Sequence, residues 1–192
     1  QMAGVTQTVG TIITAIVVIA YTYAGGMLAV AYTDVLQFLL FVIGMFVLLP
    51  LGIAKAGGLS KIFASVPKQN LGLGAAGSNQ IVTWLFAVMP GQMTLQLYYQ
   101  RIFAADSERS AKAGLYVMAA ASALVGLWAA LLGMSVYAMN PGLQDREFAV
   151  PWFALNMLPW WGGVITLVMV LSAMVSTADS SIHAMASNVA RD

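Results

Sequence analysis

The sequence predicts an all-α, polytopic membrane protein, and three observations lead there. Hydrophobic residues make up 60% of the chain and charged residues 8%; a soluble domain carries about 25% charged residues, so this chain has little to present to water. Asp, Glu, Lys and Arg are absent from residues 1–33, 35–54, 69–100, 113–144 and 148–178. A helix crosses the hydrocarbon core with about 20 apolar residues, so each run is long enough. The runs are also continuously apolar, without the alternation of a membrane-spanning strand.

Five spanning helices follow in order. The first is expected from about Val5 to Tyr23, and the glycine pair Gly25-Gly26 should break it in a tight turn. The second is expected over residues 31–54, with Asp34 in its first turns and Pro50 near its end. A polar stretch with Lys55, Lys61 and Lys68 separates it from the third, at residues 80–99, which should break near 90–92. The connector Arg101–Lys112 leads to the fourth, at 113–139. Asn140–Pro159 reads as a long loop, and the fifth helix covers 160–188. Trp152, Trp160 and Trp161 suit a membrane–water interface. The small residues of the fourth helix, among them Ala119, Ala123, Gly126 and Gly133, allow close helix packing.

Composition excludes several function classes. The net charge is +1 and no basic cluster is present, so nucleic acid is not an expected partner. There is no cysteine, hence no disulfide framework or thiolate chemistry, and a single histidine, His183, gives no histidine metal cluster. No nucleophile–base pair, phosphate loop or paired catalytic carboxylates stand out, so an enzyme is not expected. Gln1 is not an initiator and no basic segment precedes the first apolar run; Arg191-Asp192 falls at a helix end. The chain is therefore expected to be an internal fragment of a longer protein.

Three features are candidates for chemistry. Met89-Pro90-Gly91-Gln92 lies inside an uncharged span. It is either an ordinary proline kink or a broken helix of the kind transporters use at mid-membrane. Ala173, Ser176, Thr177, Ser180, Ala184 and Ser187 share one helical face. That stripe is either a packing face whose hydroxyls bond back to the helix or a set of hard oxygen ligands for a cation. Asp34 and Asp179 are ionisable groups in or beside apolar spans, where such groups are costly and often functional. Asp34 also suits a helix N-terminus, and Asp179 with His183, four residues on, suits either a structural contact or a proton relay.

Together these features resemble the sodium:solute symporter family, which includes sodium-coupled proline, sugar, pantothenate and choline transporters. The likeness lies in Tyr21-Thr22-Tyr23-Ala24-Gly25-Gly26 continuing through Tyr32-Thr33-Asp34-Val35-Leu36-Gln37, in Gly91-Gln92 followed by Gln100-Arg101-Ile102-Phe103, and in Ala173-Met174-Val175-Ser176-Thr177-Ala178-Asp179-Ser180. All three follow the family's order and spacing. The resemblance implies part of a ten-helix inverted-repeat core of the leucine-transporter type, with the remaining helices supplied by the rest of the protein. It implies a multi-pass protein of the plasma membrane that carries a small organic solute with Na+ as coupling ion. Carried over by position, the sodium ligands fall on the Ala173 carbonyl and the Ser176 and Thr177 hydroxyls, with further oxygens from the absent first core helix. Asp34 falls on a family aspartate of the ion pathway, where Asp179 is a second candidate; Gln92 and Gln96 are the polar candidates for solute contact. Choline-type members carry a tryptophan where this chain has Leu95, so the likeness does not imply choline. A symporter-like sensor domain of a signalling protein, or proton-coupled transport through Asp179 and His183, is the alternative function.

Basic residues divide four against four between the two sides, so the positive-inside rule is silent and the resemblance alone sets orientation. It places Lys61 outside and Arg109 in the cytoplasm. With no native cysteine, Lys61→Cys and Arg109→Cys can be labelled one at a time in the full-length protein on intact cells. An impermeant thiol reagent should modify position 61 and spare 109; the reverse pattern would invert the topology.

Overall fold

Why the long apolar runs become helices is simple: in lipid each backbone donor and acceptor must be satisfied within its own segment. The computed structural model describes residues 6–72 and 74–191 and is helical throughout, with no strand among the described residues. The expected helix start at Val5 lies outside them. Helix α1 spans Gln7–Ala56, α2 Leu59–Ser65, α3 Ser78–Thr83, α4 Met89–Thr94, α5 Gln96–Phe103, α6 Glu108–Met139, α7 Ala149–Met157 and α8 Trp160–Arg191. Three stretches are long and apolar enough to cross a membrane: Thr8–Ala56, Glu108–Met139 and Trp160–Val189. The chain divides into two compact units, Gln1–Gly44 with Leu167–Asp192, and Met45–Thr166.

In the first unit, α1 is not one rod. Gly26 has φ 56° and ψ −150°, a combination open essentially to glycine, and it separates two helical halves. A Cβ on the adjacent Gly25 would collide with that of Ala29. Contacts with α8 reveal the angle of the break. Going along α8, Met169 lies against Gly44, Ser176 bonds Asp34, and Asp179 bonds Tyr21. From Met169 to Ser176 to Asp179 the axis advances about 10 and then 5 Å at 1.5 Å per residue. On a straight α1, Gly44 to Asp34 to Tyr21 would advance about 15 and then 20 Å. Side chains that already bridge the roughly 8–10 Å between packed helix axes cannot also absorb that 15 Å mismatch. A chain that folds back at Gly26 removes it, because Tyr21 then returns to a level near Asp34. The expected glycine turn is thus a fold-back, and the half after it runs antiparallel to α8.

The second half of α1 continues into the second unit. There Pro50 deprives the Phe46 carbonyl of its helical donor, and one residue earlier the Trp128 indole N–H donates to the Met45 carbonyl at 3.1 Å. A Cβ at Gly52 would come within 2.9 Å of Leu132, so this turn of α1 lies flush against α6. The helix ends with Gly57 at φ 91°, where the Gly58 N–H bonds the Ile53 carbonyl and the Gly57 N–H that of Ala54. This pair of bonds is the glycine stop of a helix C-terminus. Helix α6 begins five residues before the expected 113, because the Ser107 hydroxyl accepts the Ser110 N–H and caps the helix there. Glu108 and Lys112 form an exposed i,i+4 pair at 2.6 Å, worth about 0.3–0.5 kcal/mol.

Two segments expected as loops are partly helical. Lysine-bearing residues after α1 form α2, whose Ile62 is fully buried. The expected loop Asn140–Pro159 contains α7, which buries Phe153 and Ala154. Pro151 is compatible with α7 because it sits in the first turn, where its missing donor would have no intrahelical partner. Leu158 then becomes extended, as a residue before proline does.

Replacing Gly26 by alanine forces a side chain into φ 56°, a strain of about 1–3 kcal/mol. Gly26→Ala in the full-length protein should lower the thermal midpoint in detergent. An unchanged midpoint would argue that the chain does not fold back there.

Candidate functional site

In the first unit, the two halves of α1 and the C-terminal part of α8 bring polar groups together in an otherwise apolar setting. The Ser176 hydroxyl donates to Asp34 Oδ1 at 2.5 Å across 142 residues of sequence. The Tyr21 hydroxyl donates to Asp179 Oδ2 at 2.5 Å across 158. Asp179 is fully buried, and its Oδ1 accepts the Ser180 backbone N–H at 2.6 Å. Buried carboxylates are tolerable only with such partners, since a charge in apolar surroundings that lacks them costs several kcal/mol. Ser176 and Asp179 are three residues apart on α8, about one turn, so the two carboxylates meet adjacent levels of the same helix.

Of the expected sodium ligands, Thr177 donates its hydroxyl to the Ala173 carbonyl at 3.2 Å. A donated hydroxyl keeps its oxygen lone pairs, so both Ser176 and Thr177 retain acceptor capacity. The Ala173 oxygen and Thr177 Oγ1 also fit a hard cation. Held at the roughly 2.3–2.6 Å typical of calcium–oxygen contacts, two oxygens 3.2 Å apart subtend about 75–90° at the ion. The donor chemistry is oxygen throughout, and the described residues contain no group of three or more His, Cys, Asp or Glu able to hold a metal. The Thr177 bond is also the helix back-bond of the packing alternative, a pattern repeated by Ser181 on the Thr177 carbonyl and Ser187 on the His183 carbonyl.

Among the described residues no hydrogen bond joins Asp179 and His183: Asp179 is engaged by Tyr21 and Ser180, and the His183 carbonyl accepts from Ser187 at 2.9 Å.

Gln92 and Gln96 belong to the second unit. Irregularity there spans a wider stretch than residues 90–92. A π-helical turn covers Trp84–Val88, α4 follows with Pro90 in its first turn, and Leu95 is extended (φ −68°, ψ 116°) before α5 begins at Gln96. Proline acts backward, since its ring excludes the carbonyl four residues earlier, and that residue, Phe86, sits mid-way in the π turn. Thr94 donates to the Pro90 and Gly91 carbonyls. Across Leu95, Tyr98 donates to Gln92 Oε1 at 2.8 Å and Tyr99 to the Met93 carbonyl at 2.6 Å. Gln92 is thus held by a tyrosine through its oxygen, a bond that does not engage its amide nitrogen.

Sequence reasoning quoted Tyr21, Thr22 and Gln37 within the family-like stretch but gave none of them a place at the site. The Thr22 Oγ1 and Gln37 Oε1 atoms are buried without a hydrogen-bond partner. Gln37 had a signal, because it lies three residues after Asp34 and hence on the same helical face. Tyr21 stands in the stretch that carries the family likeness, but nothing in the spacing shows its pairing with Asp179, 158 residues away.

Comparison with known proteins identifies the family. The profile of the "Sodium:solute symporter family" matches residues 1–192. The human "High affinity choline transporter 1" is 28% identical over 202 residues, covering 96% of this chain and 34% of that protein. The corresponding Caenorhabditis elegans protein is 26% identical, covering 98% and 36%. The human "Sodium/iodide cotransporter" is 26% identical, covering 100% and 33%. This chain thus spans about a third of the length of the relatives it matches. No solved structure matches it at a significant level. With the profile matching from end to end, the chain belongs to the sodium:solute symporter family.

Proposed function

We propose that this chain forms part of the transport core of a sodium-coupled symporter that moves a small organic solute across the plasma membrane by alternating access. The observation that supports this most directly is the oxygen set on α8: Ser176 polarised by Asp34, with Thr177 Oγ1 3.2 Å from the Ala173 carbonyl. In this reading the two halves of α1, the interrupted stretch from α3 to α5, α6 and α8 make five crossings of a ten-helix inverted-repeat core. Helices outside this chain complete the core and supply the remaining sodium ligands.

The chain's own residues do the following. Ala173, Ser176 and Thr177 hold the ion, and Asp34 keeps the Ser176 proton turned away so that the hydroxyl oxygen faces the ion. Asp34 also lines the route by which the ion enters or leaves. Gln92 and Gln96, on either side of the extended Leu95, orient the solute where the helix is interrupted. Interrupted helices suit this task because their freed backbone groups face a cavity rather than lipid. Sodium supplies the driving force, about 2.3 kcal/mol for one charge through 100 mV, roughly 40- to 50-fold accumulation before the ion gradient is added. The relatives are named for choline and for iodide, and both belong on the panel of labelled solutes used to find the substrate in sodium-dependent uptake.

Ser176→Ala and Thr177→Ala, each alone in the full-length protein, should raise the sodium concentration for half-maximal uptake. A lost oxygen ligand to a charged species costs about 1.5–3 kcal/mol by analogy with hydrogen bonds to charged groups, or roughly 10- to 150-fold. Ser180→Ala, one turn on, serves as control; equal sensitivity there would make the stripe a packing face instead.

Asp34→Asn should weaken apparent sodium affinity more than solute affinity measured at saturating sodium. The amide still accepts from Ser176 but carries no charge. A well-expressed Asp34→Asn protein with wild-type sodium dependence would remove Asp34 from the ion pathway.

A further inference from the structure

We propose that Tyr21 is a positioning residue for the sodium site: by donating to Asp179 it keeps that carboxylate out of ion coordination, so that a single carboxylate, Asp34, serves the ion. The inference rests on the sodium reading of Ala173, Ser176 and Thr177.

The geometry supports it in three steps. First, α8 presents Ser176 and Asp179 one turn apart, so whatever ion sits by Ser176 lies within a turn of a second, fully buried carboxylate. Second, that carboxylate is capped on both oxygens by neutral donors, the Tyr21 hydroxyl at 2.5 Å on Oδ2 and the Ser180 N–H at 2.6 Å on Oδ1. The backbone donor belongs to α8 itself and moves with Asp179. Tyr21 comes from the other side of the Gly26 fold-back and is the partner that depends on tertiary structure. Third, a tyrosine suits the task. It supplies a donor without adding charge, so it satisfies the anion without repelling a cation beside it. A lysine or arginine there would cancel the field of Asp34 as well.

Removing the hydroxyl leaves Oδ2 of a fully buried carboxylate without that donor. In the sodium reading the ion beside Ser176, one turn away on α8, is then a counter-charge within reach. In Tyr21→Phe the ion should therefore be held more tightly and released more slowly. A merely structural loss would do the opposite and weaken binding.

The test uses the full-length protein in detergent with sodium-22 as the probe. In Tyr21→Phe the half-saturating sodium concentration should fall at least about fivefold. In Tyr21→Phe/Asp179→Asn the curve should coincide within about twofold with that of Asp179→Asn alone, because Tyr21 acts only through the carboxylate. The comparison of these two variants stands even where Tyr21→Phe alone does not fold, since the Asp179→Asn background leaves no buried charge at that position to satisfy. An unchanged or raised half-saturation in Tyr21→Phe overturns the inference, and so does a difference of more than about fivefold between the double variant and Asp179→Asn. Ser176→Ala, run in parallel, separates the two readings. If it weakens sodium-22 binding while Tyr21→Phe leaves the curve alone, the positioning role fails and the sodium site stands. If it too leaves binding unchanged, the sodium site itself is wrong.

Discussion

A carboxylate carried into an apolar interior must find donors or a cation, and much of the first unit is arranged around meeting that demand for Asp34 and Asp179. Neither is satisfied by its own helix alone. Asp34 takes its hydroxyl partner from α8, and Asp179 takes one from the opposite half of α1. The Ser176–Asp34 bond forms along the half of α1 after Gly26, whereas Tyr21 reaches Asp179 only because the chain reverses at Gly26. The reversal depends on a φ of 56° that glycine alone adopts without strain. The glycine, the two carboxylates, Tyr21 and Ser176 therefore form one interdependent arrangement.

The same demand, applied to backbone groups, explains the second unit. Prolines at 50 and 90 each remove a donor in an apolar stretch, and polar groups gather nearby in both cases. Near Pro50 the Trp128 indole crosses from α6 to α1. Around Pro90 the repair is local: a wider turn before it, Thr94 on two carbonyls after it, and two tyrosine hydroxyls reaching back over Leu95. Pro50 stays inside a helix, with the Trp128 indole bonded to the Met45 carbonyl next to the one it orphans. Pro90 is answered by its own neighbourhood, and the helix gives way on both sides.

The all-helical class was legible because lipid imposes so coarse a rule on uncharged runs; the expected five spans are a separate matter, since three stretches are long and apolar enough to cross a membrane and the run 69–100 divides among α3, a π-helical turn, α4 and α5. The glycine turn was legible for a related reason, since few residues other than glycine can make it. Less visible were the small helices α2 and α7, which lie in stretches too short or too polar to span and are stabilised by burying Ile62, Phe153 and Ala154. The disturbance around Pro90 reaches further than residues 90–92, because proline acts on the carbonyl four residues before it. At the site, Ser176, Thr177, Asp34 and Asp179 stood out as hydroxyls and charges in apolar sequence. What sequence spacing suggested for Asp179 was a neighbour one turn away, His183. The structure instead pairs it with Tyr21, a contact that no periodicity encodes because tertiary folding creates it.

A transport site must bind its ion firmly enough to fill and loosely enough to empty, and the count of fixed charges around it governs that balance. At an effective dielectric near 20, one unit charge about 4 Å away contributes on the order of 4 kcal/mol, so a second carboxylate at similar range would change occupancy by several powers of ten. Neutral hydroxyls and carbonyls contribute geometry with far less of that attraction. An α8 face offering Ala173, Ser176 and Thr177, with one carboxylate reached through a serine and the other tied to a tyrosine, keeps the charge count low while leaving no carboxylate bare. On the proposed sodium reading, the hydroxyl stripe and the Tyr21–Asp179 bond are two parts of one solution: oxygens placed for a monovalent cation, and a nearby negative charge restrained so that recognition does not become retention.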